Sequence, residues 1–238
     1  MTTAVITMGG IGKRFLDAGY HIPKYFIDVN GKSLFRWAME SLQSYIDAGS
    51  PFVFVVKKSD DAALFIQTEC AAIGIKKSVV VELDVQTDGQ ATTALFAGKY
   101  LDEDVPFFVY NIDTHITPGI VPCFSNNADG WIPCFPGVGS GWSFVSINEN
   151  GHAVEVREKV RISDHATLGL YWFSSFRLYK ETYKAYYGNV AGKTVKEKYI
   201  APMYNQLIQS GLTVKISTIH LAHVIPMGTP EEVAAFVE

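Results

Sequence analysis

From residue 1 to about residue 110 the chain alternates two patterns of apolar and polar positions. Unbroken apolar runs of strand length, TAVITM (3–8), FVFVVK (52–57), KSVVVEL (77–83) and PFFVYNI (106–112), are separated by segments whose apolar residues recur every third or fourth position. In SLFRWAMESLQSYIDAG the apolar face is Leu34, Ala38, Leu42 and Tyr45, which predicts one helix capped by Ser33 and stopped at Gly49. In SDDAALFIQTECAAIG, Ser59 is the expected cap, Asp60 and Asp61 fall in the first turn, and Ala62, Ile66, Cys70 and Ile73 form the buried stripe. A further helix is expected from Gly89. Apolar strands alternating with helices imply βαβ units, and so a mainly parallel sheet covered on both faces, with ligands beyond the carboxyl ends of the strands.

After residue 120 the pattern changes. WIPCF, GWSFVSIN, HAVEVRE and ATLGLYWF read as strands joined by short turns, with Glu149-Asn150-Gly151 as a hairpin signal. Helices are expected over about 175–187 and 195–210, and strands over 212–217 and 221–227. A last helix opens with a capping box, Thr229 as cap, Pro230 in first position and Glu232 three residues on. With no linker or repeat between the halves, the expectation is one α/β domain over 1–238, a mostly parallel sheet with an antiparallel extension.

Composition narrows the function classes. A formal net charge of -4 gives no general attraction to nucleic acid or to an anionic membrane surface. Cys70, Cys123 and Cys134 are odd in number and contain no CxxC pair, so neither a disulfide framework nor a structural zinc site is expected. The opening MTTAVITMGG lacks a basic segment and no apolar run approaches membrane-spanning length, so the expectation is a cytoplasmic protein. Against that acidic background, residues 7–26 (TMGGIGKRFLDAGYHIPKYF) concentrate glycine and positive charge. Gly9, Gly10 and Gly12 after the first strand can turn amide N–H groups onto an anion, and Lys13, Arg14 and Lys24 add charge; phosphate is the expected ligand. Phe15 stands where GxGxxG needs its third glycine, and the loop lacks the Gly-Lys-Ser/Thr end of a P-loop.

The run MGGIGKRF followed by IPKYFIDVNGKSLFRWAMESL resembles the signature of the nucleotidyltransferases that activate sugar 1-phosphates. Further resemblances follow in order: TDGQATTAL to the base-binding turn and helix, FFVYNID to the strand that ends in the metal aspartate, SFVSINENGHAVEVREK to the hairpin ending in Glu-Lys, ATLGLYWF to the Gly-x-Tyr strand beside the sugar, and MGTPEEV to the terminal G-T-P-E. The family fold this implies is a Rossmann-like three-layer α/β/α sandwich of GT-A type. Its nucleotide-binding half would be 1–120 and its acceptor-binding half 121–238.

The resemblance implies that a phosphate ester, a sugar 1-phosphate for capsular or other surface polysaccharide, attacks the α-phosphorus of a nucleoside triphosphate and releases pyrophosphate. It places Met8, Gly9, Gly10, Gly12, Lys13 and Arg14 around the triphosphate, Gly89 and Gln90 at the base, and Lys24 between the two phosphates. Asp113 would be the ligand of Mg²⁺, and Glu158, Lys159, Gly169 and Tyr171 would meet the acceptor. Glu197 is open between an acceptor contact and a packed helix face with Tyr199, Met203 and Leu207. Relatives often carry a second metal aspartate where this chain has Pro226, and the stretch Asp84–Gln90 does not reveal the base. Three other readings stand beside this one: a cytidylyltransferase for a phosphocholine-like ester, a glycosyltransferase using Asp113-Thr114-His115 as a D-x-H metal set, and a non-catalytic nucleotide-binding relative. Whether the chain forms a homo-oligomer is open.

Overall fold

A computed structural model describes residues 1–124, 127–188 and 197–237. The first half runs β1 (Thr3–Met8), α1 (Lys13–Asp17), β2 (Asp28–Val29), β3 (Lys32–Ser33), α2 (Leu34–Glu40), α3 (Gln43–Asp47), β4 (Phe52–Lys57), α4 (Ala63–Ile73), β5 (Ser78–Leu83), α5 (Gln90–Leu95), β6 (Phe107–Asn111) and β7 (Thr114–Ile116). The second runs β8 (Gly130–Pro136), β9 (Ser143–Ile147), β10 (Ala153–Glu158), β11 (His165–Thr167), β12 (Leu170–Phe173), α6 (Phe176–Gly188), α7 (Tyr204–Gln209), β13 (Val214–Thr218), β14 (Val224–Pro226) and α8 (Pro230–Val237).

Ten strands form one sheet in the order β10-β9-β11-β8-β12-β6-β1-β4-β5, with β13 joined in parallel to β8. β1 pairs in parallel with β4 and β6, and β4 with β5, so these four strands end at one edge of the sheet. From β12 outward to β10 the neighbours on this path are antiparallel. The period of two divides the core between the faces: Ala4, Ile6, Met8, Phe108 and Tyr110 pack with α2, α3 and α4, while Val5, Phe107 and Val109 pack with α5, α6 and α7. The apolar runs of β1, β4 and β6 have both faces buried, whereas β5, at the end of the sheet order, is buried only at Val81 and Leu83.

Local signals read correctly where they close within a few residues. Ser33 accepts from the Arg36 N–H at 3.1 Å, and Glu232 accepts from Gly228 and Thr229 at 2.8 and 3.0 Å while Thr229 caps its N–H. Three expectations are corrected. The helix expected over 33–49 is two, interrupted at Ser41-Leu42, where the Ser41 hydroxyl accepts the Ile116 N–H of β7 at 2.8 Å. Ser59 does not cap α4, because residues 58–60 form a 3₁₀ turn and Asp60 instead accepts the Tyr25 hydroxyl at 2.8 Å and pairs with Lys57. ATLGLYWF is two strands, β11 and β12, broken at Gly169, which has φ 77°. A Cβ at Gly169 would stand 2.1 Å from Asn111 Oδ1, so only glycine lets the chain cross the end of β6. The break lets each half take a different neighbour, β11 beside β9 and β12 beside β6, both against β8. The expected helix over 195–210 begins outside the described residues; from Ala201 it is a 3₁₀ turn followed by α7.

Candidate active site

The parallel strands deliver three loops to one edge of the sheet, residues 9–14 after β1, 84–89 after β5 and 112–113 after β6. The antiparallel extension adds the ends of β10, β11 and β12. Together they enclose a cleft of about 910 Å³, and the residues that the resemblance assigned to nucleotide, metal or acceptor, from Met8 to Glu197, lie on its wall, whereas His115 does not.

In the loop after β1 the N–H groups of Gly10, Ile11 and Gly12 find no acceptor among the described residues. No atom lies within 4 Å of a Cβ built at Gly10 or Gly12, so the loop faces open space. Unpaired amides beside a solvent-filled cleft are an anion-binding arrangement. Arg14 is exposed and has no ion-pair partner among the described residues, whereas Lys13 turns along the surface of α1 to Asp17, at 2.9 Å. The Gln90 amide donates to Thr7 at 3.1 Å. Gln86, which sequence reasoning missed, donates to the Gly9 carbonyl at 3.0 Å and so ties the glycine loop to the turn after β5. Its only signal was its place just beyond an apolar run.

In the middle of the cleft the Lys24 ammonium bonds Asp113 Oδ1. Pro23 directs this lysine into the 3₁₀ turn 24–26, where Tyr25 is buried beneath it. The Lys24 side chain is 13% exposed and that of Asp113 is 46% exposed, so the carboxylate reaches the solvent-filled side of the cleft. Asn111 Oδ1, close by at the end of β6, is a buried acceptor with no donor among the described residues.

At the ends of β10 and β12 Glu158 accepts the Ser143 hydroxyl and lies 3.7 Å from the Lys159 ammonium. Burial pushes the Glu158 carboxyl up from its ordinary value, opposed by Ser143 and by Lys159. Lys159 also donates to the Tyr199 hydroxyl at 2.7 Å, and Tyr199 in turn bonds Glu197. Glu197 and Tyr199 line the cleft wall, while Met203 and Leu207 are buried in the core. Tyr171 is buried and its hydroxyl shares a 3.0 Å bond with Thr167.

For Mg²⁺ the donor chemistry fits in a limited way. Asp113 offers a hard carboxylate facing the cleft, but no group of three or more His, Cys, Asp or Glu is arranged to hold a metal among the described residues. Pro226 supplies no side-chain donor, and the Glu232 carboxylate is engaged by the N–H groups at the head of α8. A single carboxylate suits a cation that Mg²⁺ chemistry completes with phosphate oxygens and water. His115 is not part of such a set. It is 6% exposed, shares a 2.7 Å bond with the Trp37 carbonyl and stacks on Phe236, away from the cleft, so the D-x-H arrangement does not form.

Burial lowers the His115 pKa below its ordinary 6.5, opposed by the Trp37 bond. Because the folded chain holds this imidazole neutral, its contribution is present above the unfolded pKa of about 6.5 and is lost as pH falls through the lower folded value. Thermal melts between pH 8 and pH 5.5 should show stability declining below about pH 6.5, with a smaller decline in His115→Gln. An equal decline in both proteins would remove His115 from the account.

No family model and no curated protein matches the chain. Solved structures do. The nucleoside-diphosphate-sugar pyrophosphorylase from Vibrio cholerae RC9 is 34% identical, with 99% of each chain covered and a TM-score of 0.91. The inositol-1-phosphate CTP transferase from T. maritima is 19% identical, with 100% of this chain and 97% of that one covered and a TM-score of 0.75. UDP-glucose pyrophosphorylase from Acinetobacter baumanii is 17% identical, with 100% and 92% covered and a TM-score of 0.70. These last two share the fold. The first shares sequence over its whole length, which also removes the glycosyltransferase reading: the chain belongs to the sugar-phosphate nucleotidyltransferase superfamily and is a nucleotidyltransferase.

Proposed function

We propose that the enzyme joins a nucleoside triphosphate to a sugar 1-phosphate, releases pyrophosphate, and serves the synthesis of a capsular or other surface polysaccharide. The observation that carries the reaction is the order of groups across the sheet. Unpaired amides and Arg14 follow β1, Lys24 and Asp113 meet at the end of β6, and Glu158, Lys159 and Tyr171 stand on β10 and β12 and beside them, with β6 between the two sets. Such an order suits two anionic substrates that meet over one lysine. The division into a nucleotide half, 1–120, and an acceptor half, 121–238, follows the same sequence of strands.

In this reading the amides of residues 9–13 and the Arg14 guanidinium hold the triphosphate, and the turn at Gly89 and Gln90 receives the base. An oxygen of the ester phosphate attacks the α-phosphorus in line; the bond from that phosphorus to the bridging oxygen of the β-phosphate breaks, and the electron pair leaves with pyrophosphate. Lys24 leaves Asp113 and neutralises the two phosphates as they approach, the contribution that positioned charge makes best in phosphoryl chemistry. Asp113 would hold Mg²⁺, which when bound would supply charge compensation for the leaving group. Glu158 accepts acceptor hydroxyls, Lys159 meets the ester phosphate, and a substrate hydroxyl donates to the orphaned Asn111 Oδ1. No protein nucleophile is required.

The test is pyrophosphate release with Mg²⁺, each of CTP, dTTP, UTP and GTP, and a panel of sugar 1-phosphates and non-sugar phosphate esters. The reading predicts rapid release with one base and a sugar 1-phosphate. Release only with a choline- or alditol-type ester would move the acceptor to the cytidylyltransferase class, and no release with any pair would contradict the reading.

A further inference from the structure

Lys198 does not line the cleft wall, yet its backbone and side chain both bond the proposed base-binding turn, joining it to the segment that carries Glu197 and Tyr199. Its N–H donates to the Asp88 carbonyl at 2.8 Å and its carbonyl accepts the Ala91 N–H at 2.9 Å, so the peptide brackets the turn on both sides of Gly89. The approach is as close as a backbone allows. A Cβ at Gly89, whose φ is 145°, would stand 2.4 Å from the Lys198 nitrogen and 2.5 Å from its oxygen.

The side chain closes a second link. The Lys198 ammonium lies 2.6 Å from Asp88 Oδ2 and donates to the Tyr183 hydroxyl at 3.1 Å; that hydroxyl is 2.8 Å from Thr92 Oγ1, and Thr92 donates to the other Asp88 oxygen. Four polar groups from α5, α6, the turn and residue 198 thus form a closed ring. On either side of Lys198, Glu197 and Tyr199 face the cleft, and the Tyr187 hydroxyl of α6 holds the Tyr199 carbonyl at 2.5 Å. A shift of the base turn therefore has to move the segment that carries Glu197 and Tyr199, and through Tyr199 the Lys159 ammonium.

We infer that Lys198 is a positioning residue that couples the two substrate sites, its ring with Asp88, Thr92 and Tyr183 making nucleotide binding and acceptor binding mutually dependent. The inference rests on the proposed placement of the nucleotide at Gly89 and the acceptor at Glu158–Lys159. Because binding coupling is reciprocal, it is read as one factor: the ratio of nucleotide Kd values without and with acceptor. Coupling between two binding sites is typically on the order of 5- to 150-fold.

Calorimetric titration with the non-reacting α,β-methylene analogue of the triphosphate chosen by the pyrophosphate panel, alone and with the panel's best ester, measures the factor directly. The expected result is a factor of about 10 in the wild type, a fall to within about twofold of unity in Lys198→Met, and recovery of most of the factor in Lys198→Arg, which keeps a donor for Asp88 and Tyr183. Asp88→Asn, read in the same way, should lose the factor as well, and should add little when combined with Lys198→Met, as members of one ring do. A lower melting temperature with an unchanged factor would make Lys198 merely structural and overturn the inference. A wild-type enzyme that binds both ligands independently would also overturn it, while leaving the proposed reaction intact. A wild type that binds no nucleotide would sink the proposed function and this coupling together.

Discussion

Lys24→Ala is expected to lower kcat/KM by about 10³, equivalent to about 4 kcal/mol of transition-state stabilisation, while the protein stays folded. The size follows from the task assigned to this ammonium. Two polyanions must approach within bonding distance, and a fixed positive charge in a partly enclosed cleft is worth far more to that approach than to the resting fold. The resting pair with Asp113 is half open to water on the carboxylate side, so its loss should cost no more than about 1 kcal/mol, the range of exposed ion pairs. Steady-state kinetics and a melting curve on the same preparation separate the two effects. Loss of activity in parallel with loss of the folded state would mean that Lys24 is structural; a change under about tenfold would mean that the phosphates meet elsewhere.

Asp113→Asn removes one charge, keeps the shape of the side chain, and is expected to lower turnover by about 10³ at saturating nucleotide. Its second signature distinguishes a metal ligand from a partner that only restrains Lys24. If Asp113 contributes the protein's share of Mg²⁺ binding, the Mg²⁺ concentration for half-maximal residual activity should rise at least about tenfold, since no group of three or more His, Cys, Asp or Glu among the described residues is arranged to hold a metal in its place. Rates measured across a Mg²⁺ series give this directly. An unchanged Mg²⁺ dependence with reduced turnover would assign Asp113 to positioning Lys24 alone.

The parts of this molecule that could be read from sequence are those whose cause is local. β1 and β4 match the unbroken apolar runs residue for residue, the Ser33 cap and the Thr229–Glu232 box close within three residues, and Gly151 turns the hairpin between β9 and β10. What escaped depends on partners far along the chain. The break at Ser41 exists because its hydroxyl serves Ile116, and Asp60 leaves helix α4 because Tyr25 claims its carboxylate. Gly169 looks like an interior strand residue until the end of β6 crosses it at Asn111. The same holds at the cleft. Motif resemblance named groups on both sides of it, but could not show that Lys24 meets Asp113 across 89 positions, that Lys13 turns away to Asp17, or that His115 faces Trp37. Lys198 carried no pattern, and Gln86 only its place beyond an apolar run, since each makes its contacts with a distant backbone.

The central claim is a single displacement at the α-phosphorus, performed by positioned charge with no covalent enzyme intermediate. Its most direct measurement is the stereochemistry of transfer, using one diastereomer of the α-thio nucleoside triphosphate with the accepted phosphate ester and reading the configuration of the product by phosphorus NMR. One in-line attack inverts the phosphorus, and inversion is the predicted result. Retention would require two displacements through a group on the protein, and would contradict the account.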